Sequence, residues 1–303
     1  MIEFNRVVPE YKARYDEILK TVPERGCEYS FGNLCMWGKQ NLAFVHGCVA
    51  FFSHFYGRSV YPFPIGGGDK RRVLREIMQD AKERGIPCRI TGMTDADRVY
   101  LEENFPGVFV FRSDRGSCDY VYDIHDLADL RGRKYQKKRN HFNRFQAAHP
   151  GYQVVPITED TIPAALEMVE NWYEKRQQTD PDGDYLLEKL ALKRAWRCFD
   201  ALELEGCMIV DQGQVLAVTV GSRMTESTFD IHFEKAREDV DGAYAAINCE
   251  FARYLRLKYP EAQFLNREED MGLEGLRKAK LSYLPHHMVD KHWAYLAEDI
   301  HET

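Results

Sequence analysis

The order of its elements constrains this chain more than any single motif. Read for periodicity, the two halves spell the same string, β-β-β-α-β-α-β. In the second half, CMIVDQGQVLAVTVGSRM reads as two strands joined by a turn at 211–213. STFDIHFEKA (227–236) alternates Phe229, Ile231 and Phe233 with Thr228, Asp230, His232 and Glu234, the period of a strand with one buried face. A helix follows over about 242–258, then a strand at 262–268, a short helix at 272–280 and a last strand, HHMVDKHW (286–293). In the first half, NLAFVHG and CVAFFSHF (41–55) form a strand pair and SVYPFPI (59–65) a third strand. GGGD then leads into a helix over about 70–84 with Val73, Ile77 and Ala81 on one face. A strand (87–93), a helix (94–105) and a strand (108–113) complete it. The long helices begin near 70 and 243, an offset of 173, and the strands after them near 87 and 262, an offset of 175. Identity between the halves is negligible, so the repeat is one of pattern.

The expected architecture is therefore α+β in two tandem domains, 1–125 and 126–303, each a mixed sheet flanked by helices. The 303 residues carry 41 Lys and Arg against 48 Asp and Glu, a net charge of −7. That excludes a surface coated in positive charge for duplex binding and leaves room for a local basic groove. No apolar run approaches the roughly 18 residues of a membrane helix, and MIEFNRVVPEYKARYDEIL lacks the features of a signal peptide, so a cytoplasmic location is expected. Eight scattered cysteines without a C-x-x-C read as reduced, buried thiols, and no metal ligand set is visible in the spacing.

Against that acidic background GRKYQKKRNHFNRF (132–145) stands out. It reads as a helix over about 132–148, with Tyr135, Phe142 and Phe145 as a narrow apolar stripe. Seven Lys and Arg between Arg131 and Arg144 repel one another unless an anion or acidic surface lies opposite. Two readings stand side by side: Lys134, Lys138 and Arg139 hold the phosphates of a donor molecule, or the cations neutralise the protein's own carboxylates. Gly67 and Gly68, between a strand and a helix, are placed either to aim backbone amides at a phosphate or simply to turn the chain. His232 and Glu234 share one face of their strand, where either is a candidate general base, with an outward polar face as the plainer reading. The acids of NREEDMG (266–272), among them Glu269 and Asp270, suit a cationic amine or the positive end of the next helix.

GRKYQKKRNHFNRF, STFDIHFEKAREDVDGAYAAIN (227–248) and NREEDMGLEGLRKAKLSYLP (266–285), set in this element order, resemble the DUF2156 proteins. Those look like the C-terminal domain of phosphatidylglycerol lysyltransferases without its membrane part, within the tandem GNAT and FemABX-like acyltransferases. The resemblance implies a mixed sheet that splays between two strands to admit an acyl donor. It also implies transfer of an acyl or aminoacyl group to an amine or hydroxyl, with Glu234 or His232 as base. Glu269 and Asp270 would position an amine, and Arg277 and Lys280 would bind the donor or an oxyanion. No cofactor is fixed by it: the donor is aminoacyl-tRNA, through its acceptor end, or an acyl-CoA, and the acceptor a small molecule or lipid headgroup. A coenzyme A-dependent N-acetyltransferase working through GGGD, or a degenerate binding protein, remain alternatives. REDVDGAY (237–244) favours a donor other than coenzyme A. Aligned on Gly242, the GNAT pattern R/Q-x-x-G-x-G/A here has Asp239 at its cationic position and Tyr244 at its small one.

Overall fold

The computed structural model describes residues 1–55, 57–180 and 185–299. The first part of the chain forms β1 (Asn5–Arg6), α1 (Lys12–Leu19), α2 (Phe31–Trp37), β2 (Gln40–Val45), β3 (Cys48–Phe55), β4 (Arg58–Pro62) and β5 (Ile65–Gly66). It continues with α3 (Lys70–Arg84), β6 (Arg89–Met93), α4 (Asp95–Asn104) and β7 (Phe109–Ser113). Then come β8 (Asp119–Asp123), α5 (Ile124–Asp129), α6 (Gln136–Ala148), β9 (Gln153–Pro156), α7 (Ile162–Thr179), α8 (Leu186–Arg197), β10 (Leu204–Asp211) and β11 (Gln214–Arg223). The last elements are β12 (Thr228–Ala236), α9 (Ala243–Lys258), β13 (Phe264–Asn266), α10 (Glu274–Leu281), β14 (His287–Val289) and β15 (His292–Leu296). The repeated order is present: α3 and α9 start at Lys70 and Ala243, and β6 and β13 at Arg89 and Phe264, reproducing both offsets. Local chemistry sets these boundaries. Asp69 caps α3 through the Arg72 amide, Thr94 and Asp97 form a capping box on α4, and Gly85 ends α3 in the left-handed region.

The fold class is α+β with two GNAT-like sheets. One runs β1-β2-β3-β4-β6-β15-β7, with β5 on β3, and the other β14-β8-β13-β12-β11-β10-β9. The strand next to the end of each sheet comes from the other side of the repeat. β8 pairs antiparallel with β13, while β15, from the end of the chain, enters between β6 and β7. The compact units follow this exchange. Unit 1 holds 1–119, 269–277 and 288–303, and unit 2 holds 120–268 and 278–287. A single cut at 125/126 therefore does not describe the chain. The expected strand HHMVDKHW is likewise two strands, β14 and β15, in different sheets, broken at Asp290–Lys291. The reason is burial: Ala294 joins the core of unit 1 with Val73, Ile77, Ile90 and Leu101, and burial of each large apolar side chain contributes about 1.5–3 kcal/mol.

Some side-chain expectations shift. Tyr135, Phe142 and Phe145 are buried as the stripe on the basic helix requires. On α7 the buried face is Ala165, Met168, Val169 and Tyr173. β12 is a central strand, and Thr228, Asp230 and His232 are buried alongside Phe229, Ile231 and Phe233, so its polar face is not outward.

In unit 1 the residues at the two changes of sheet, before β8 and before β15, lie against each other. The Lys291 ammonium, just before β15, is 2.7 Å from Asp119 at the head of β8 and 2.7 Å from Glu28. Asp119 also accepts the Cys27 amide at 2.6 Å, and Cys118 lies 3.4 Å from Asp290. Lys291 and Asp119 are both buried. Removing the cation strands the buried Asp119 carboxylate and the half-buried Glu28 carboxylate, and breaking a buried pair in this way costs about 3–5 kcal/mol. Lys291→Met is therefore expected to lower unfolding stability by about that much near neutral pH in urea titration. Burial already raises the Glu28 pKa. Without the cation, acidification neutralises the stranded carboxylates, so the deficit is expected to shrink as pH falls. A deficit independent of pH would contradict the assignment.

Candidate functional site

In each unit the parallel strand pair stops early. In unit 2 the last register pair of β12 and β13 is Asp230 with Asn266, after which β13 ends and β12 continues to Ala236. Into this gap come Glu234 from β12, Asn248 from α9 and Arg267, the residue after β13. Arg267 donates to Glu234 at 2.8 Å, and Asn248 donates to the other oxygen of the same carboxylate at 3.3 Å. The guanidinium lies 5.0 Å from the Tyr283 ring and 5.6 Å from that of Tyr122. Its Nη1, the Asn248 Oδ1 and the Thr219 hydroxyl are buried and have no hydrogen-bond partner among the described residues. Thr219 stands directly across from Glu234 on β11. Three unsatisfied buried polar atoms around one carboxylate are costly unless a ligand or ordered water completes them.

Lys138 of α6 closes the outer side, its ammonium 3.7 Å from the Tyr283 ring. Burial, and then the Arg267 guanidinium, push its pKa down to about 8 against the pull of Glu234. A groove of roughly 300 Å³ runs from there along Lys138, His141, Arg237, Tyr244 and Tyr283 to the start of α9. Gly242 permits this arrangement. Its φ is +80°, and an added Cβ would lie 2.3 Å from the His141 carbonyl oxygen, so α6 rests directly on the loop that enters α9. Asp239 is held to about 2 by its hydrogen bonds with Arg237, so the acid of REDVDGAY is neutralised within its own loop.

The matching gap of unit 1 is filled. β4 and β6 pair last at Pro62 with Thr91. Beyond that pair the buried Tyr29 hydroxyl lies 3.0 Å from the Phe63 carbonyl and 3.2 Å from that of Gly92. Gly92 occupies the position that Arg267 holds in unit 2, and a Cβ there would collide with Glu28 and Tyr29. Arg25 and Asp97 form a buried bidentate pair nearby, the guanidinium 5.6 Å from the Tyr29 ring. The GGGD loop is committed to the fold. A Cβ on Gly68 would meet the His46 carbonyl oxygen at 1.9 Å, the Asp69 amide donates to that same oxygen, and the Asp69 carboxylate already occupies the start of α3. A phosphate site at Gly67 and Gly68 is corrected accordingly.

The other anticipated residues separate in space. His232 is enclosed, with Nε2 2.8 Å from Ser222 and Nδ1 3.4 Å from both Asp230 and Glu268, so its nitrogens serve the fold. In unit 1, Asp270 and Arg277 form a bidentate pair at 2.8 and 3.0 Å, and Glu269 lies 3.3 Å from Lys291. Lys280, in unit 2, donates to the backbone carbonyls of Arg267 and Glu268 and so sets the chain that carries Arg267. Lys134 pairs with Asp126, and Arg139 donates to the carbonyls of Leu130 and Gly132. Arg144 pairs with Asp241. Most of the basic segment thus pairs within the protein, and Lys138 is the member that lines the groove. Arg267, Asn248, Tyr283 and Tyr29 escaped the sequence reading. Asn248 had left a signal, since it sits three and seven residues before Phe251 and Leu255 on the buried face of α9.

Sequence spacing hid two sets of converging ligand atoms as well, Cys27–Asp119–Glu269 in unit 1 and Asp230–His232–Glu268 in unit 2. In the first, the Lys291 ammonium already stands where a cation would. No helix among the described residues is long and apolar enough to cross a membrane.

The family described as "Phosphatidylglycerol lysyltransferase, C-terminal" matches residues 19–295. A conserved protein of unknown function from Bacteroides thetaiotaomicron is 37% identical, with a TM-score of 0.92 over 98% of this chain and 100% of that one. L-PGS from Bacillus licheniformis superposes at 0.68 with 14% identity, over 96% of this chain and 93% of that one. FemX superposes at 0.63 with 10% identity, over 99% of each. An uncharacterised protein of Mycoplasmoides gallisepticum is 24% identical over 181 residues, 58% of this chain, and the match spans about half (55%) of that relative's length.

Lys138 gives the site a pH signature. If its ammonium holds an anion, binding weakens as pH rises through about 8, where the charge is lost. Sulfate, fully ionised throughout this range, is expected to bind several-fold more weakly at pH 9.5 than at pH 7. Lys138→Arg is expected to abolish that decline, because a guanidinium stays charged. Identical pH profiles for the two proteins would remove Lys138 from the anion site.

Proposed function

Since the chain belongs to the family of phosphatidylglycerol lysyltransferase C-terminal domains, we propose that unit 2 transfers an activated acyl or aminoacyl group to an amine or hydroxyl. The observation that carries this reading is the contrast between the gaps: in unit 1 Tyr29 closes it, while in unit 2 it is lined by Glu234, Arg267 and Asn248 with polar atoms left to satisfy. The acceptor's N–H or O–H attacks the carbonyl carbon of the donor ester, and Glu234 takes the proton. Arg267, through Nη1, faces the developing oxyanion, and its bond to Glu234 orients both groups. Collapse of the tetrahedral intermediate breaks the ester C–O bond, and the proton passes to the leaving hydroxyl.

The donor in this reading is anionic, with its phosphates along Lys138 and the groove to Arg237. The acceptor end of a charged tRNA is favoured over coenzyme A. In unit 2, α6 lies on the loop entering α9, and Tyr244 stands where that loop would need a small residue. In unit 1, Tyr29 fills the gap, and in GGGD the Asp69 amide donates to the His46 carbonyl while the Asp69 side chain caps α3.

The test is protein-dependent transfer from a pool of radiolabelled aminoacyl-tRNAs to small amines and headgroup analogues. Arg267→Ala is expected to lower the rate about 10²–10³-fold, the usual cost of one oxyanion donor. Glu234→Gln is expected to do so by about 10²–10⁴-fold. Both should keep the circular dichroism of the parent. Consumption of acetyl-CoA without turnover of any aminoacyl-tRNA would instead assign the coenzyme A-dependent reaction, and turnover unchanged in Arg267→Ala would remove unit 2 from the chemistry.

A further inference from the structure

We infer that unit 1 carries a binding platform for single-stranded nucleic acid on one face of its sheet. β15 lies between β6 and β7. His292 of β15 bonds Asp95 of α4 at 2.8 Å and Ala294 enters the core, so these two residues define the α4 side. Alternation then projects Trp293 and Tyr295 from the opposite face. Both are only half-buried. Their rings are 6.1 Å apart and inclined by 15°, a nearly parallel pair side by side. Trp293 is in register with Arg112 of β7, and Tyr295 with Val110 of β7 and Arg89 of β6. The Arg112 guanidinium is 5.4 Å from the Tyr295 ring. Neither Arg89 nor Arg112 has an ion-pair partner among the described residues, and no acid occupies these register positions.

Two parallel aromatic rings between two unpaired guanidiniums make a specific demand on a partner. Bases stack on aromatic faces whatever their identity, while arginines on either side meet the phosphates. A duplex hides its base faces, so it uses the arginines alone. A purely apolar partner strips water from two cations without replacing it. A second copy docked on this face sets arginines against arginines. This site goes beyond the transfer proposed for unit 2, and its ligand binding stands whether or not that reaction occurs.

The experiment is fluorescence anisotropy with a labelled single-stranded RNA 12-mer and its duplex at low salt, using the full chain. The single strand is expected to bind at least about tenfold more tightly than the duplex. Trp293→Ala and Tyr295→Ala are each expected to weaken it by about tenfold, in keeping with the loss of one stacking partner. Arg89→Glu with Arg112→Glu should do the same and flatten the salt dependence. Lys193→Glu, an exposed charge reversal on α8 of unit 2, should leave this binding unchanged. If Trp293→Ala loses its folded circular dichroism, the charge-reversal pair at Arg89 and Arg112 decides. Equal affinity for single strand and duplex, no binding at all, or loss in Lys138→Glu with none in the platform variants would overturn the proposal. So would a change in sedimentation of the platform variants without a change in binding, which marks the face as a contact between copies. Failure here with transfer intact and sensitive to Arg267→Ala refutes the platform alone. Intact platform binding with no transfer refutes the unit 2 reading alone.

Discussion

The buried ammonium of Lys291 joins the two places where this chain leaves one sheet for the other. Asp119 opens β8, which completes the second sheet, and Lys291 precedes β15, which completes the first. Without the exchange each sheet would lack the strand that its terminal strand pairs with, leaving that strand no ladder. Taking such charges out of water is expensive, and the arrangement is favourable only because the cation meets Asp119, Glu28 and Glu269 together. One interaction thus holds both ends of the exchange in register inside unit 1.

From that common plan the two units have separated chemically. Both stop a parallel strand pair short and leave a gap. In unit 1 the gap is filled by the Tyr29 hydroxyl and the glycine that makes room for it. In unit 2 the same position carries Arg267, whose charge is compensated by Glu234 and supported by the aromatic faces of Tyr122 and Tyr283. A closed gap adds packing, whereas an open polar one is a cost to the fold that a ligand or ordered water offsets.

The basic segment illustrates how density of charge misleads. Lys134, Arg139 and Arg144 spend their charge on Asp126, on backbone carbonyls and on Asp241. Lys138 differs because it is partly buried beside another cation, which makes its charge both costly and responsive to pH. Position in the fold, rather than the count of cations, gives that residue its place on the groove.

Element order, the helix starts at Lys70 and Ala243, and the apolar stripe Tyr135–Phe142–Phe145 were legible in the sequence, because periodicity, caps and glycines act over a few residues. The family followed from the same order with its motifs. The exchange of β8 and β15 was not legible: a strand's pattern states that it is buried and not beside which partner. Nor was the difference between the gaps. Glu234 could be singled out from its strand, but its partners Asn248 and Arg267 lie 14 and 33 residues further along the chain. The pairing of Asp270 with Arg277, which turns two expected site residues into a structural clasp, is decided by where the loop before α10 closes. Sequence alone determined the local elements and their repetition. Tertiary structure decided which carboxylate keeps a free neighbour and which is neutralised, because charge compensation depends on distance in space and is blind to distance along the chain.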